Sequence, residues 1–209
     1  MKKIITLLTV LILIGCAQDK EETKAMKKEP VQQEKKYDYV SISDDSMIVA
    51  VVKTNMGTFE MEFFPDKAPK AVTNFVKLAE ESFYDSVTFH RVIDGFVIQG
   101  GDPTGMGSGG KSVFDGRPYA NEIDSTLRHD APGVVALANA GPNTNTSQFY
   151  VTLAPLPNLD GGYTIFGKVI NGMDVVYSIG KVPTAGPYNK PIDPVVMEKV
   201  TIERRKKVE

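Results

Sequence analysis

Short apolar runs separated by turn residues fill the chain from Met47 onward, and this pattern constrains the fold more than any other feature of the 209-residue sequence. Residues 48–53 form a β-branched apolar run. Residues 58–64 alternate between apolar and polar side chains, as a strand with one buried face does. Because turn residues occupy positions 55–57 between the two runs, the sequence predicts a β-hairpin.

Further short apolar runs follow the hairpin, separated by glycine-rich turns. Short strands spaced in this way are typical of a meandering antiparallel sheet or a barrel. Val200 and Ile202 near the end of the chain predict a closing strand. The intervening runs span residues 88–92, 96–99, 134–138, 149–153 and 164–169.

Two segments predict helices. Pro69 stands where a first helical turn tolerates proline, and the apolar residues over 71–79 then repeat at helical spacing. A second helical stretch over 173–179 ends at Gly180. The expected fold is therefore mostly β with two helices.

The first fifteen residues predict a signal peptide. Lys2 and Lys3 precede an apolar run over residues 4–14. At about 1.5 Å per residue, such a run cannot cross a hydrocarbon core of about 30 Å, so it fits a signal-peptide core rather than a spanning helix. The run ends in Leu-Ile-Gly-Cys, which resembles the lipobox of bacterial lipoproteins, in which the cysteine is acylated and becomes the new N-terminus. Cys16, the only cysteine of the chain, is the predicted lipidation site.

Residues 16–45 are rich in charges of both signs and poor in apolar side chains after Cys16. Such a stretch cannot bury enough surface to offset its chain entropy, so we expect a flexible tether, with a folded domain over residues 46–209. Acyl chains at Cys16 would anchor the protein to a bacterial membrane on its extracytoplasmic side, periplasmic or at the cell surface.

Composition excludes several classes of protein. The chain has 24 basic and 26 acidic residues, and this balance gives no electrostatic basis for binding nucleic acid. One cysteine cannot close an internal disulfide, and with two histidines it is too few for a structural zinc site of four protein ligands.

Generic catalytic motifs are weak in this chain. Gly105, Gly107 and Gly110 match G-x-G-x-x-G, but the residues after them do not predict the helix that a dinucleotide-binding motif opens. Ser108 lacks the G-x-S-x-G frame of an esterase. His90 and His129 have no marked nucleophile beside them, and a lone histidine near strand residues is more often structural.

Two long strings carry a close resemblance to a known family. They are FHRVIDGFVIQGGDPTGMGSGGKS (89–112) and ALANAGPNTNTSQFYVTLAPLPNLDGGYTIFGKVINGMDVV (136–176). Both resemble the cyclophilin family of peptidyl-prolyl cis-trans isomerases, and the likeness extends from about residue 47 to 204. The resemblance implies a closed eight-stranded antiparallel β-barrel capped by two α-helices. It also implies an enzyme that accelerates X-Pro isomerisation; with the export features, its substrates would be folding exported proteins.

The resemblance implies site residues position by position. Arg91 matches the catalytic arginine, and no cofactor or metal is expected. An X-Pro bond rotates over a barrier of about 18–20 kcal/mol without any bond being broken, so the arginine need only favour the twisted amide. The partners expected are proline-containing polypeptides and a membrane, and the protein is expected to be a monomer. The substrate-binding positions implied are Phe96, Val97, Gln99, Ala138, Asn139, Gln148, Tyr150, Leu159 and Tyr163.

Three positions depart from the family pattern. Tyr150 replaces a common phenylalanine, Asn158 a frequent tryptophan, and Tyr163 a frequent histidine. The last two changes leave open an alternative function, a proline-peptide-binding chaperone or scaffold with little turnover.

Overall fold

The computed structural model of the protein describes residues 37–207. Within that range it contains ten strands, two α-helices and one 3₁₀ turn over Pro157–Leu159. The helices are α1 (Pro69–Glu80) and α2 (Met173–Gly180). The strands are β1 (Ser46–Thr54), β2 (Gly57–Phe63), β3 (Arg91–Ile93), β4 (Val97–Gly100), β5 (Val134–Leu137), β6 (Phe149–Thr152), β7 (Ile165–Asn171), β8 (Thr184–Ala185), β9 (Lys190–Pro191) and β10 (Met197–Lys206).

Eight of these strands form one antiparallel sheet in the order β10-β1-β2-β7-β5-β6-β4-β3. Its two end strands, β10 and β3, are not paired in a ladder. An isolated bridge between Thr88 and Val196 connects the segments that precede them. The mostly β fold with two helices is as expected, but the expectation of a closed barrel was wrong, and the sheet is an open half-barrel. Since β3 has only three residues, it offers little edge for closure.

The predicted hairpin and helices are confirmed. In β2 the side chains of Phe59, Met61 and Phe63 are buried, whereas Glu60 and Glu62 between them are only half-buried. This alternation follows from the two-residue period of a strand. The hairpin therefore supplies one wall of the core.

Helix α1 covers the interior of the half-barrel and begins with Pro69 in its first turn. Its buried Phe75 stacks on Tyr84 with ring centroids 4.6 Å apart and meets Phe149 of β6 edge-on at 5.4 Å. Such contacts between fully buried aromatic rings add about 0.5–1.5 kcal/mol per pair to the burial of their area. The main core thus lies between α1 and the inner face of the sheet.

A second apolar cluster lies on the opposite face of strands β4 to β7. Ile98, Val151 and Phe166 belong to the main core, while their chain neighbours Val97, Tyr150 and Ile165 belong to the second cluster. Because successive side chains of a strand point to opposite faces, the two clusters share a backbone but not a surface. The second cluster is where the site residues collect.

Residues 37–45, which the sequence assigned to the tether, pack on the domain. The ring of Tyr37 meets Phe114 edge-on, with centroids 4.8 Å apart. The backbone N–H of Val40 donates to Thr73 Oγ1 of α1 at 2.8 Å. The domain boundary predicted at residue 46 therefore lies inside the packed unit, because a few apolar side chains among the charges suffice to dock this segment.

The predicted signal peptide over 1–15, the predicted lipidation site Cys16 and the predicted tether as far as residue 36 lie outside the described residues. Among the helices of residues 37–207, none combines the length and apolarity needed to span a membrane.

Candidate active site

The register of four strands lines up the candidate site in one row. Arg91 pairs with Gln99 across β3 and β4, and Gln99 pairs with Tyr150 across β4 and β6. Tyr150 pairs in turn with Ala136 of β5. Directly opposed residues of an antiparallel pair point to the same face, so the row lies wholly on the outer face of the sheet.

Beside this row lies a cleft of about 240 Å³. Six of its lining residues are aromatic or aliphatic, and they come from β4 and the residue before it, from β6, and from the segments that follow β5 and β6. The arginine and two amide side chains form its polar edge. The lining residues are Arg91, Phe96, Val97, Gln99, Ala138, Asn139, Tyr150, Leu159 and Tyr163.

The structure thus brings nine of the predicted site residues into one cleft. The tenth, Gln148, lines an adjoining cleft of about 300 Å³ together with the glycine-rich loop. Gln99, Ala138 and Asn139 line both clefts, which are therefore continuous. A bound extended chain that filled the first cleft could enter the second without leaving the surface.

A chain of hydrogen bonds holds the arginine. Arg91 Nη1 donates to Gln99 Oε1 at 3.2 Å, and Gln99 Nε2 donates to Gln148 Oε1 at 3.0 Å. Gln148 Nε2 then donates to the carbonyl oxygens of Gly107 and Gly109 at 3.1 and 2.7 Å. The Arg91 guanidinium also lies 5.6 Å from the centroid of the Phe96 ring. These contacts orient its planar fork at the edge of the apolar cleft.

The glycine-rich loop is organised by one carboxylate. Asp102, with only 1% of its surface exposed, accepts the backbone N–H groups of Thr104, Gly107 and Gly109. Burial would raise the pKa of Asp102, but these hydrogen bonds outweigh it and lower the pKa below its usual value. No helix follows the loop within residues 101–119, so the dinucleotide-binding interpretation of its glycines is excluded.

Two residues outside the predicted set support the cleft from behind. His129 is fully buried, and its Nε2 lies 2.9 Å from the Tyr150 hydroxyl. Its Nδ1 lies 3.0 Å from Asp160 Oδ1. The backbone N–H of His129 donates to Asp160 and lowers the pKa of that carboxyl. Sequence reasoning regarded His129 as structural and overlooked Asp160, although Asp160 directly follows Leu159 of the cleft.

The positions that depart from the family pattern differ in their placement. Asn158 is exposed in the 3₁₀ turn and lies outside the residues that line the first cleft. Tyr163 does line it, and its ring meets that of Tyr150 edge-on with centroids 5.7 Å apart. The aromatic wall is therefore continuous despite the replaced histidine.

An open β half-barrel with two helices, carrying an arginine beside an apolar cleft, is the architecture of the cyclophilins. The family model for "Cyclophilin type peptidyl-prolyl cis-trans isomerase/CLD" matches residues 49–202. The chain is 49% identical over 158 residues to Peptidyl-prolyl cis-trans isomerase-like 1 of Neurospora crassa, across 76% of this chain and 96% of that protein. It is 49% identical over 144 residues to the peptidyl-prolyl cis-trans isomerase ppi1 of Schizosaccharomyces pombe, across 69% and 92%.

Solved structures agree with this assignment. A cyclophilin type peptidyl-prolyl cis-trans isomerase of Cryptosporidium parvum superposes with a TM-score of 0.72 at 39% identity, covering 75% of this chain and 98% of that one. The same enzyme, crystallised in the presence of the dipeptide Ala-Pro, superposes with a TM-score of 0.71 at 40% identity, covering 74% of this chain and 98% of that one. The chain belongs to the cyclophilin-type peptidyl-prolyl cis-trans isomerases, and its activity is the cis-trans isomerisation of X-Pro bonds.

Proposed function

We propose that Arg91 is the catalytic group and that the 240 Å³ cleft is the slot for the substrate proline ring. This proposal rests on one observation: the Arg91 guanidinium and the apolar cleft lie side by side on the outer face of the sheet. Phe96, Val97, Tyr150 and Leu159 offer the apolar surface that a pyrrolidine ring requires. Gln99 and Asn139 at the edge can hydrogen-bond the flanking peptide groups.

The chemistry follows from the electronic structure of the amide. Rotation about the X-Pro bond requires nitrogen to withdraw its lone pair from the carbonyl, which costs about 18–20 kcal/mol in the free peptide. In the twisted state the pyramidal nitrogen can accept a hydrogen bond from Arg91, an interaction absent in either planar ground state. Only contacts that strengthen in the transition state accelerate the reaction, and this contact does so. Rotation needs no nucleophile.

The same slot would select proline in the substrate chain. The Cryptosporidium parvum enzyme was crystallised in the presence of Ala-Pro, and it covers most of the same fold. We propose that this protein takes proline-containing polypeptides, with residues beside the proline in the adjoining cleft lined by Gln148. The aromatic wall that Tyr163 completes offers a continuous apolar surface to the proline ring of such chains.

We further propose a lipoprotein form of the enzyme that works on exported proteins. Support comes from the sequence before the domain: the apolar run over 4–14, the lipobox-like end at Cys16, and the charged segment after it. Acyl chains on Cys16 would hold the domain near the extracytoplasmic face of a bacterial membrane, where newly exported chains fold. X-Pro isomerisation is slow enough to limit the rate of that folding.

An isomerisation assay tests the enzymatic proposal. Rates are measured on a short peptide with a central Ala-Pro bond, using the chain without its first fifteen residues, the Arg91→Ala variant, and a Lys53→Ala control on the remote strand β1. We expect Arg91→Ala to lose most of the catalysed rate and the control to retain it. An Arg91→Ala variant with full activity would refute the assignment of the catalytic group.

A further inference from the structure

The buried hydroxyl of Tyr150 has a specific partner that a phenylalanine could not use. Tyr150 is 4% exposed, and burial raises the pKa of its phenol, so the group stays protonated. Its oxygen lies 2.9 Å from Nε2 of His129, which is itself 0% exposed. The Tyr150 ring, which forms part of the slot wall, is therefore held by a hydrogen bond at its hydroxyl end as well as by its backbone in β6.

His129 is bonded at four points. Besides its contact with Tyr150, its Nδ1 and its backbone N–H both reach Asp160 Oδ1, at 3.0 and 2.8 Å. Its carbonyl oxygen accepts the N–H of Leu156 at 2.6 Å. The histidine thereby joins β6 to the loop that carries Leu159, although Asp160 is 31 residues away along the chain.

The carboxylate fixes the direction of these bonds. Asp160 is held ionised by its hydrogen bonds and by Arg128, whose Nε lies 2.9 Å from its Oδ2. An ionised carboxylate only accepts, so Nδ1 of His129 must carry a proton. In the neutral ring Nε2 is then an acceptor, and the Tyr150 hydroxyl donates to it. The polar atoms joining Asp160, His129 and Tyr150 are mutually satisfied.

We propose that Asp160 and His129 are positioning residues for the proline slot: they fix the tilt of the Tyr150 ring and its separation from Leu159. This rests on the proposed function, in which Tyr150 and Leu159 are walls of that slot. The walls touch the proline ring, whereas Arg91 acts on the amide nitrogen. Wall contacts are made equally in ground and transition states, so loosening them raises KM and leaves kcat nearly unchanged.

Two substitutions at His129 separate its two side-chain contacts. Glutamine places its terminal amide about where Nε2 lies and can keep the Tyr150 bond. Asparagine places its amide about where Nδ1 lies, so it can keep Asp160 but releases Tyr150. We expect His129→Asn to raise KM by about fivefold with kcat within about twofold, and His129→Gln to stay closer to the parent.

The Tyr150→Phe variant supplies the decisive background. If His129 acts through the Tyr150 hydroxyl, Tyr150→Phe alone should raise KM about as much as His129→Asn does. When His129→Asn and His129→Gln are each combined with Tyr150→Phe, the two double variants should have equal KM values. A purely structural role would preserve their difference in both backgrounds. Tyr150→Phe removes only one oxygen, so this arm remains available if His129→Asn does not fold.

Two controls complete the experiment. Asp85, like Asp160, accepts a backbone N–H and pairs with a cation, Lys199, but it lies outside the slot. Asp85→Ala and Asp160→Ala should both lower Tm, and only Asp160→Ala should raise KM. Phe96→Ala tests the slot itself.

The outcomes are distinguishable. Equal KM values for His129→Asn and His129→Gln in the parent, or an unchanged KM in Tyr150→Phe, overturn the positioning role while leaving the slot intact. An unchanged KM in Phe96→Ala overturns the slot assignment and the inference with it. The slot assignment and the positioning role are both supported if KM rises in Phe96→Ala, Tyr150→Phe and His129→Asn and stays near the parent value in His129→Gln.

Discussion

Gln99 and Tyr150 are directly paired across β4 and β6, so the polar and apolar halves of the proposed active site are neighbours in one cross-strand row. Gln99 belongs to the hydrogen-bonded chain that orients Arg91, and Tyr150 belongs to the wall of the slot. A slip of one residue in this pairing would turn one of the two side chains into the main core. The register of a single strand pair therefore holds both halves of the site in place.

Removal of the guanidinium is the first test. Arg91→Ala should lower kcat/KM at least tenfold, about 1.4 kcal/mol in transition-state terms, with the fold intact by circular dichroism. Arg91→Lys should restore only part of the activity, because an ammonium group lacks the planar donor fork. Wild-type kcat/KM in the lysine variant would show that charge alone suffices.

The amide of Gln148 is expected to fix the glycine-rich loop. Gln148→Glu keeps the size and an acceptor for Gln99 but turns a second oxygen toward the carbonyls of Gly107 and Gly109. Loss of two hydrogen bonds worth about 1 kcal/mol each should loosen the loop and reduce kcat/KM several-fold. Faster amide hydrogen exchange at residues 105–110, measured by mass spectrometry, is the expected signature. Unchanged exchange would assign the loop's order to Asp102 alone.

Asp102 should make stability depend on pH. Its folded pKa is lowered, so it contributes stability above its unfolded pKa of about 3.9, and this contribution is lost as pH falls through the folded value. The difference in free energy of unfolding between the parent and Asp102→Asn should therefore be largest near neutral pH and should shrink below about pH 4. Urea denaturation across this range measures it. A difference independent of pH would contradict the role of the ionised carboxylate.

The docked segment over 37–45 should stabilise the domain. A chain that begins at residue 46 loses the ring contact of Tyr37 with Phe114 and leaves Thr73 without the N–H of Val40. Relative to a chain that begins at residue 37, we expect a loss of about 1–3 kcal/mol in the free energy of unfolding, measured by urea denaturation. Equal stabilities would mean that the segment lies on the surface without contributing energy.

The lipid anchor is tested at Cys16, the only thiol of the chain. Cys16→Ser in the full-length chain should prevent acylation and move the protein from the detergent phase to the aqueous phase on phase partitioning. Isomerase activity, which we propose to depend on Arg91 and the slot, should be unaffected. If the variant partitions like the parent, the lipoprotein proposal fails while the enzymatic assignment stands.

Local pattern was enough to predict the regular elements. The alternation over 58–64, the helical spacing after Pro69 and the stop at Gly180 each reappear in the structure within a residue or two. The two-residue strands β8 and β9 were not predicted, because a ladder this short leaves no periodic pattern. Sheet closure was predicted wrongly, since it depends on how far strands β3 and β10 extend beside each other.

The residues that line the candidate site were predicted mainly by family resemblance. The residues that hold the lining in place from behind were not predicted. Phe96, Tyr150 and Leu159 stand in recognisable strings, so they could be transferred position by position. His129 and Asp160 are distant in sequence and meet only through loop geometry. Their pairing could be inferred only once the loop after β6 was seen to fold back on His129.

The division of apolar residues between the two faces of the sheet has an evolutionary consequence. Val97, Ala136 and Ile165 belong to the outer cluster, while Ile98 and Phe166 belong to the inner one. Most mutations that reshape the slot therefore leave the packing between α1 and the sheet untouched. Selection can therefore change which prolyl sequences the enzyme prefers without first finding compensating changes in the interior.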